Sequence, residues 1–364
     1  MDGGRAGLSP AAELARDFAA REVAPRAAGW ERERAFPLDA LKAAAAAGLT
    51  AVRMPGHTLV EACQVFEALA AEDYAFTFTL VCHCNTARAL AAAGRDAEPL
   101  LRGEQVGAFC LTEPGAGTDA AAITTAARPL GDGWRLDGVK AWVTNGAFAS
   151  AFLVYAQTDP AAGHRGIAGF EVRGPQAGLT AGVPYGLSAG HSMGLADVRF
   201  EACAGALLTP PGEGFKAALR GIDSARAIVA AMCCGMLGRG LELALARLQE
   251  RRAFGRPLAD FQALQWSLAD AATELEAARL LAYAAAAAVD AGADATVAAA
   301  HAKKFAPAAA LRHLAACIQV LGADGLSDRH PLARHLACAK MAQIQDGTNE
   351  VQNLVIARRL AGLM

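Results

Sequence analysis

The sequence lacks an excess of charge of either sign, because 34 Lys and Arg stand against 36 Asp and Glu in 364 residues, for a net charge of −2. This balance gives no electrostatic argument for nucleic acid or an anionic membrane surface as a partner. No run of eighteen apolar residues is free of charged or polar interruptions, so we expect no membrane insertion. The first seven residues lack a basic segment followed by an apolar one, so we expect no signal peptide.

Cysteine pairs at zinc-binding spacing are also absent. The nine cysteines are scattered, odd in number and without a CxxC pair. Cys82 and Cys84 lie too close together for a usual zinc half-site, and Cys233 and Cys234 fall in an apolar helical run. We therefore expect nine reduced, buried thiols, no metal site and a cytoplasmic protein.

Hydrophobic residues are abundant, at 54% of the chain, which is enough for two or three domains with cores of their own. Helical spacing dominates residues 8–93, then short alternating runs separated by turns begin near residue 107, and the helical period returns from residue 215. The helices expected early in the chain cover residues 11–28, 38–47, 60–73 and 76–93. The expected strands are residues 134–139, 142–144, 152–156, 166–172 and 198–200, and the expected late helices are 215–251, 260–290 and 297–321.

These patterns predict an α+β multi-domain fold in the order α, β, α. We expect an N-terminal α-helical domain at residues 1–106 and a middle β-barrel or β-sandwich domain at residues 107–209. A C-terminal four-helix bundle is expected at residues 210–364.

The stretch around Asp346 predicts a helix, a break and a second helix. After the break, Val351, Leu354 and Val355 have the i, i+3, i+4 spacing of one helix face, and Thr348 suits the N-cap. A carboxylate at a helix junction flanked by apolar residues is a candidate general base with a tunable pKa. The simpler alternative is an acid that only caps a turn, since aspartate is common in turns.

Residues 109–122 predict a strand that enters a glycine-rich turn. Such a turn brings backbone N–H groups close to a ligand, and Thr112 and Thr118 add hydroxyl groups. This segment resembles the first signature of the acyl-CoA dehydrogenases, and residues 139–146 resemble the family's second flavin-binding strand. Residues 223–226, 250–258 and 319–326 are also similar to family segments, so the resemblance covers nearly the whole chain.

The resemblance implies bound FAD, with Asp346 in the position of the family's catalytic glutamate. It implies an FAD-dependent α,β-dehydrogenation of an acyl thioester carried by CoA or by acyl carrier protein, with an electron-transferring flavoprotein, or else oxygen, as acceptor. Contacts to the FAD of a neighbouring subunit imply a homo-oligomer, either a dimer or a tetramer. The implied cofactor-binding residues are Thr112, Gly117, Thr118, Trp142, Thr144, Arg251, Phe254, Gln262, Gln319, Gly322 and Thr348. The implied substrate-binding residues are Asp223, Arg226, Gly347 and Arg358.

Two departures from the family pattern keep alternatives open. The Asp346 side chain is one methylene shorter than glutamate, so its carboxylate retracts by about 1.5 Å on an unchanged backbone. Some relatives carry the base where this chain has Ala225, which cannot replace it, and we expect Glu350 to be solvated. Residues 191–194 are altered where the family holds the thioester carrier, which leaves CoA and acyl carrier protein both open.

Other chemistry on the same fold is the main alternative function. Nitroalkane oxidases use an aspartate at this position, although they carry an arginine where this chain has Asn353. Desulfinase and N-oxygenase activities are further options, as is a flavoprotein that has lost catalysis.

Overall fold

A computed structural model describes residues 8–363; the inference about a signal peptide concerns residues 1–7, which lie outside that range. The chain begins with six helices: α1 (Pro10–Phe18), α2 (Ala24–Glu33), α3 (Leu38–Ala46), α4 (Leu59–Ala70), α5 (Tyr74–Ala92) and α6 (Glu98–Leu101). Side-chain caps define where several of them start. Ser9 accepts from the N–H of Ala12 ahead of α1, and Asp73 accepts from the N–H of Phe76 at 2.8 Å ahead of α5.

Seven strands follow: β1 (Gly107–Cys110), β2 (Ala126–Leu130), β3 (Gly133–Val143), β4 (Ala151–Gln157), β5 (Ile167–Arg173), β6 (Leu179–Ala181) and β7 (Ala196–Thr209). The pairings β4–β2, β2–β3, β3–β7, β7–β5 and β5–β4 close a ring, with β1 added parallel to β4. The middle domain is thus a small barrel whose interior contains Phe152, Phe170 and Phe200. The expectation of two strands at 134–139 and 142–144 is wrong, because β3 runs through both.

The third part contains α7 (Gly214–Glu250), the hairpin strands β8 (Arg252–Ala253) and β9 (Arg256–Pro257), α8 (Gln262–Asp290), α9 (Thr296–Leu321), α10 (Leu332–Ala342) and α11 (Asn349–Leu360). Helix α9 contacts α7, α8, α10 and α11, and α4 packs against α7 and α8. One apolar core therefore joins the N-terminal helices to the bundle. The predicted fold class, with helical first and last domains around a β domain, is confirmed.

Two bundle helices are long and apolar enough to cross a bilayer by length and hydropathy alone. They are Gly214–Glu250, with a mean hydropathy of 1.6, and Thr296–Leu326, with 1.3. Their most apolar windows are 72% and 56% buried inside the protein. Packing against neighbouring helices accounts for this apolar character, as in the core helices of a bundle.

Candidate active site

A cavity of 410 Å³ lies between α5, the strands β1 and β4, and α7. Phe78 and Val81 of α5 are buried at one end, and Asp346 belongs to the wall. At the other end the cavity opens to solvent, where Ala92, Ala93 and Arg220 are exposed. The cavity therefore has a closed apolar end and a mouth, which is the shape needed to hold the reacting part of a longer substrate.

Asp346 lies in a turn with two consecutive left-handed residues. Its φ is +51°, and that of Gly347 is +91°. Aspartate is one of the few residues besides glycine that adopt this conformation readily. A side chain on residue 347 would be strained at this φ, and its Cβ would also lie 2.9 Å from Nε2 of Gln352, so glycine is favoured there. The predicted break between two helices is thus a tight turn that directs the Asp346 side chain to the cavity wall.

Three helices hold this turn through its backbone carbonyls. Nε of Arg226 in α7 donates to the carbonyl of Asp346 at 3.1 Å. Nζ of Lys303 in α9 and Nε2 of Gln352 in α11 donate to the carbonyl of Gly347 at 2.7 Å and 2.9 Å. The position of the carboxylate is therefore set by tertiary contacts rather than by the local sequence.

The electrostatic environment makes Asp346 a stronger base than an ordinary aspartate. Its Oδ2 is buried and has no hydrogen-bond partner within residues 8–363. Burial raises the pKa of the Asp346 carboxyl, and the nearby charges of Lys303 and Arg226 offset part of that rise. Burial likewise lowers the pKa of the Lys303 ammonium to about 8, against the attraction of Asp346. A carboxylate with a raised pKa and an unused oxygen is suited to accept a proton from a bound molecule.

The glycine-rich turn after β1 is fixed by a buried ion pair. Nζ of Lys140 donates to Glu113 at 2.8 Å and to the carbonyl of Leu111 at 2.9 Å. Burial alone would raise the pKa of Glu113, but Lys140 and hydrogen bonds from residues 124 and 125 lower it to about 2. The turn is thereby rigid while its outer residues, Gly117 and Thr118, remain exposed.

The predicted flavin-contacting residues of the β domain lie on this turn and on the end of β3. Thr112 is partly exposed, and its carbonyl accepts from the N–H of Ala141 at 2.9 Å, which ties the turn to β3. Trp142 has a φ of +56° and is 57% exposed, and its ring lies 4.3 Å from that of Tyr185. Thr144 is buried, and its side chain hydrogen-bonds Cys82, which lines the cavity. An exposed indole face beside exposed N–H and hydroxyl donors suits a flat, phosphate-bearing cofactor such as FAD.

A second group of predicted cofactor residues lies at the far end of the bundle. Arg251, Phe254, Gln262, Gln319 and Gly322 are all exposed, and Phe254 is 95% exposed. Arg251 and Gly322 line a separate cavity of 370 Å³ between the end of α7 and the end of α9. Arg251 follows Arg226 by 25 residues along α7, which is about 37 Å in a helix. Within one chain Arg251 is therefore far from the Asp346 turn, which Arg226 supports.

The structure places four other predicted residues away from the cavity lining. Asp223 and Arg226 pair at 2.8 Å and support the Asp346 turn, but neither lines the cavity, so their contact with the acyl group stays a prediction. Thr348 caps α11 by accepting from the N–H of Val351 at 3.3 Å. Arg358 is exposed in the last turn of α11.

Sequence reasoning missed several polar groups at the site. Lys303 is fully buried in an alanine-rich helix. A lysine on the apolar face of such a helix could have indicated a buried polar contact, because a buried charge needs a partner. Arg88 and Arg220 line the cavity, but their spacing in sequence gives no indication that they meet. All nine cysteines are free and eight are buried, whereas Cys82 is partly exposed and lines the cavity.

Comparisons with known proteins agree across the chain. Models of the N-terminal, middle and C-terminal domains of acyl-CoA dehydrogenases match residues 10–98, 108–203 and 212–361. The mitochondrial short-chain specific acyl-CoA dehydrogenase of Mus musculus is 35% identical over 96% of this chain and 88% of its own length.

Two solved structures extend the comparison to the fold and the cofactor. Butyryl-CoA dehydrogenase of Megasphaera elsdenii is 31% identical with a TM-score of 0.92, covering 98% of this chain and 99% of its own. A glutaryl-CoA dehydrogenase of Mycobacterium smegmatis in complex with FADH2 is 26% identical with a TM-score of 0.91, covering 97% and 94%. The chain belongs to the acyl-CoA dehydrogenase family, FAD-dependent oxidoreductases that act on the CH–CH group of acyl thioesters.

Proposed function

We propose that this enzyme converts an acyl thioester to its 2-enoyl thioester, with Asp346 as the base that removes the α-proton. The observation that carries the proposal is the buried Oδ2 of Asp346, which has no partner within residues 8–363 although it lies in a cavity wall. A buried acceptor without a partner is costly unless a ligand supplies the donor. FAD, when bound, would accept the β-hydrogen as a hydride.

The backbone of the same turn can activate the substrate. The N–H of Asp346 donates to no acceptor within residues 8–363. An unused N–H at this position can donate to the thioester carbonyl, where negative charge develops as the α-proton leaves. Residue 346 would then supply both the base and an electrostatic stabiliser. Thr112, Gly117, Thr118, Trp142 and Thr144 would hold the cofactor against this turn.

We propose a homo-oligomer, a dimer or a tetramer, in which Arg251, Phe254, Gln262, Gln319 and Gly322 contact the FAD of a second copy. The distance along α7 between Arg251 and the Asp346 turn, which Arg226 supports, favours this arrangement. So does exposed apolar surface on the last domain, where Phe254, Trp266, Leu280 and Leu360 are 95%, 62%, 73% and 84% exposed. Patches of large apolar side chains commonly mark subunit contacts.

We further propose CoA or an acyl carrier protein as the thioester carrier and an electron-transferring flavoprotein as the electron acceptor. The domain limits at residues 107 and 210 belong to the same proposal, because β1 and α7 begin beside them. A cytoplasmic location is supported by nine free thiols, since a reducing compartment keeps thiols unpaired.

The deciding experiment is anaerobic mixing of the FAD-loaded enzyme with a panel of saturated acyl thioesters on both carriers. Loss of the oxidised flavin absorbance and formation of the 2-enoyl thioester are expected for at least one of them. If no thioester reduces the flavin while a nitroalkane releases peroxide, the proposed reaction is wrong and oxidase chemistry on this fold replaces it. Protein that binds no FAD at all would instead indicate lost catalysis.

A further inference from the structure

The mouth of the active-site cavity carries two arginines that the reaction does not use. We propose that Arg88 and Arg220 bind the phosphate of the phosphopantetheine arm that CoA and acyl carrier protein share. This inference rests on the proposed function, because it assumes that a thioester on such an arm enters the cavity. It identifies the part of the carrier that the enzyme recognises.

The shape of the cavity determines which part of the substrate reaches the arginines. The acyl chain must lie toward the closed end, since Asp346 must reach the α-carbon there and the carrier must leave through the mouth. Arg220 is exposed at that mouth, and Arg88 lines the wall between the mouth and Cys82. The arginines therefore face the carrier side of the thioester.

The length of the cavity fits the arm. Cys82 and Ala93 both line it, and eleven residues of α5 separate them by about 16 Å. The arm has thirteen bonds from sulfur to phosphorus, and at the reach of an extended peptide chain they span about 15 Å. Arg88 stands about 9 Å beyond Cys82 along the helix axis, and its long side chain extends that reach. A phosphate at the end of the arm would thus lie within range of the guanidinium groups.

The two arginines at the mouth have no counter-ion among the described residues. Neither Arg88 nor Arg220 forms an ion pair within the part of the chain that the structure describes, and Nε of Arg88 is buried without an acceptor. The nearby acid Glu171 is already paired with Arg95 at 3.7 Å and with Arg173. Among residues 8–363, Asp346 is the one carboxylate that lines the cavity, and it lies on the α-carbon side.

Two neighbours strengthen the case for an anion. Burial lowers the pKa of Arg53 to about 10, and the positive charge of Arg88 close by contributes to that shift. Burial raises the pKa of Tyr155 to about 12, against the charges of Arg88 and Arg220, so its hydroxyl remains a donor beside both arginines. A cluster of fixed donors around unpaired guanidinium groups matches the several acceptor oxygens of a phosphate, which arginine binds with two parallel hydrogen bonds.

The rest of the wall suits the uncharged part of the arm. Ala89, Phe109, Leu153, Ala217 and Ile222 line the same cavity. Small and apolar residues there leave room for the branched, largely uncharged section between the sulfur and the phosphate. Recognition would then concentrate at the two ends, with Asp346 at the thioester and the arginines at the phosphate.

The test uses thioesters of one acyl group on four arms: pantetheine, 4′-phosphopantetheine, CoA and acyl carrier protein. The first two differ only by the phosphate. With FAD-loaded enzyme under anaerobic conditions, flavin reduction as a function of thioester concentration gives the Kd and the limiting rate. We expect the phosphate to lower the Kd by about 10- to 100-fold, the range of charge-assisted hydrogen bonds. The limiting rate should change little, because the contact is present before and during the reaction.

Arg88→Gln and Arg220→Gln should each remove most of that difference in Kd. Arg102→Gln is the matched control. Arg102 is an exposed arginine that does not line the cavity, and its Nε lies 2.9 Å from a carboxylate oxygen of Glu98. If Arg88→Gln fails to fold, Arg88→Lys keeps the charge without the paired donors and should retain only part of the preference. Tighter binding of the CoA thioester or of the carrier-protein thioester then identifies which source of the phosphate the enzyme favours.

Equal Kd values for the pantetheine and phosphopantetheine thioesters would overturn this inference while leaving the dehydrogenation intact. So would an equal loss of affinity for both thioesters in the arginine variants, because the arginines would then act on the fold or on the uncharged arm. Flavin reduction by none of the four would overturn the proposed function and this inference together.

Discussion

Replacing Asp346 with asparagine tests the base at a position where the substitution leaves the backbone undisturbed. Asparagine has the same shape and also tolerates the φ of +51° found there. Loss of the base should lower the rate of flavin reduction by about 10² to 10⁴-fold, the usual contribution of a positioned general base. The variant should bind FAD as the parent does, because Thr112, Gly117, Thr118 and the turn that carries them are untouched.

Stability should change in the opposite direction. Burial raises the pKa of Asp346, so at neutral pH the ionised carboxylate costs folding free energy that the amide does not. The asparagine variant should therefore melt at a higher temperature while losing activity, measured by thermal unfolding and anaerobic stopped flow. Glu350→Gln is the control, since Glu350 is an exposed acid on the next helix, and it should change neither quantity. Full reduction rates in Asp346→Asn holoenzyme would refute the assignment.

Three further predictions follow from the charges of the site and the core. The kcat/KM should rise with pH through a pKa above the usual aspartate value. Lys303→Met should move this pKa upward, because the charge of Lys303 lowers the pKa of Asp346. An unchanged pKa in the pH profile of the variant would contradict this role of Lys303. Glu113→Gln leaves the Lys140 ammonium buried without its carboxylate, so urea unfolding should show a loss of about 3–5 kcal/mol, against little change for the exposed Asp119→Asn. Thermal stability should fall steeply above pH 9, because thiols ionise near that pH in the unfolded chain while the buried thiols of the folded protein keep their protons. Each such thiol lowers the free energy of unfolding by about 1.4 kcal/mol per pH unit. A melting temperature that stays constant from pH 8 to 10 would contradict this prediction. Burial raises the pKa of these thiols to about 12: Cys63, Cys84, Cys110, Cys233 and Cys317.

The sequence predicted those helices and turns that depend mainly on neighbouring residues in the chain. Helical spacing located the long helices, and glycine and threonine in residues 109–122 predicted the turn after β1. Strands β2 and β6 were missed because they are short and partly polar. Strand β3 was divided in two because Lys140 interrupts its apolar pattern, yet that lysine is buried against Glu113, 27 positions earlier. Pairing over such a distance cannot be read from a window of neighbouring residues.

The candidate site shows the same limit more sharply. Asp346 could be selected from its place between two helices, but the role of Arg226 could not, because its partner is the backbone carbonyl of a residue 120 positions later. Arg88 and Arg220 become neighbours of one cavity only when α5 and α7 pack on opposite sides of it. Sequence reasoning therefore selected Asp346 as the candidate base and named Arg226 in another role, but it missed Lys303, Gln352 and the residues at the cavity mouth.

The side chain of Asp346 is one methylene shorter than glutamate, so its carboxylate must still come close enough to the α-carbon of the substrate to remove a proton. Its position is fixed by the turn, since Arg226, Lys303 and Gln352 bind the carbonyls of residues 346 and 347 from three helices. If this turn compensates for the missing methylene, Asp346→Glu should overshoot by about 1.5 Å and lower the reduction rate by at least about tenfold. Glutamate is also disfavoured in the left-handed region, so urea unfolding should show a loss of about 1–2 kcal/mol.

A higher reduction rate in Asp346→Glu would mean that the aspartate is too short on its present backbone. Gln352→Met makes a useful companion, because it removes one donor to the Gly347 carbonyl without adding a charge near the Asp346 carboxylate. If the turn sets the position of the base, this change should lower the reduction rate while leaving the Kd for FAD unchanged. An unaffected rate would mean that the contacts between the helices do not determine where the Asp346 carboxylate lies.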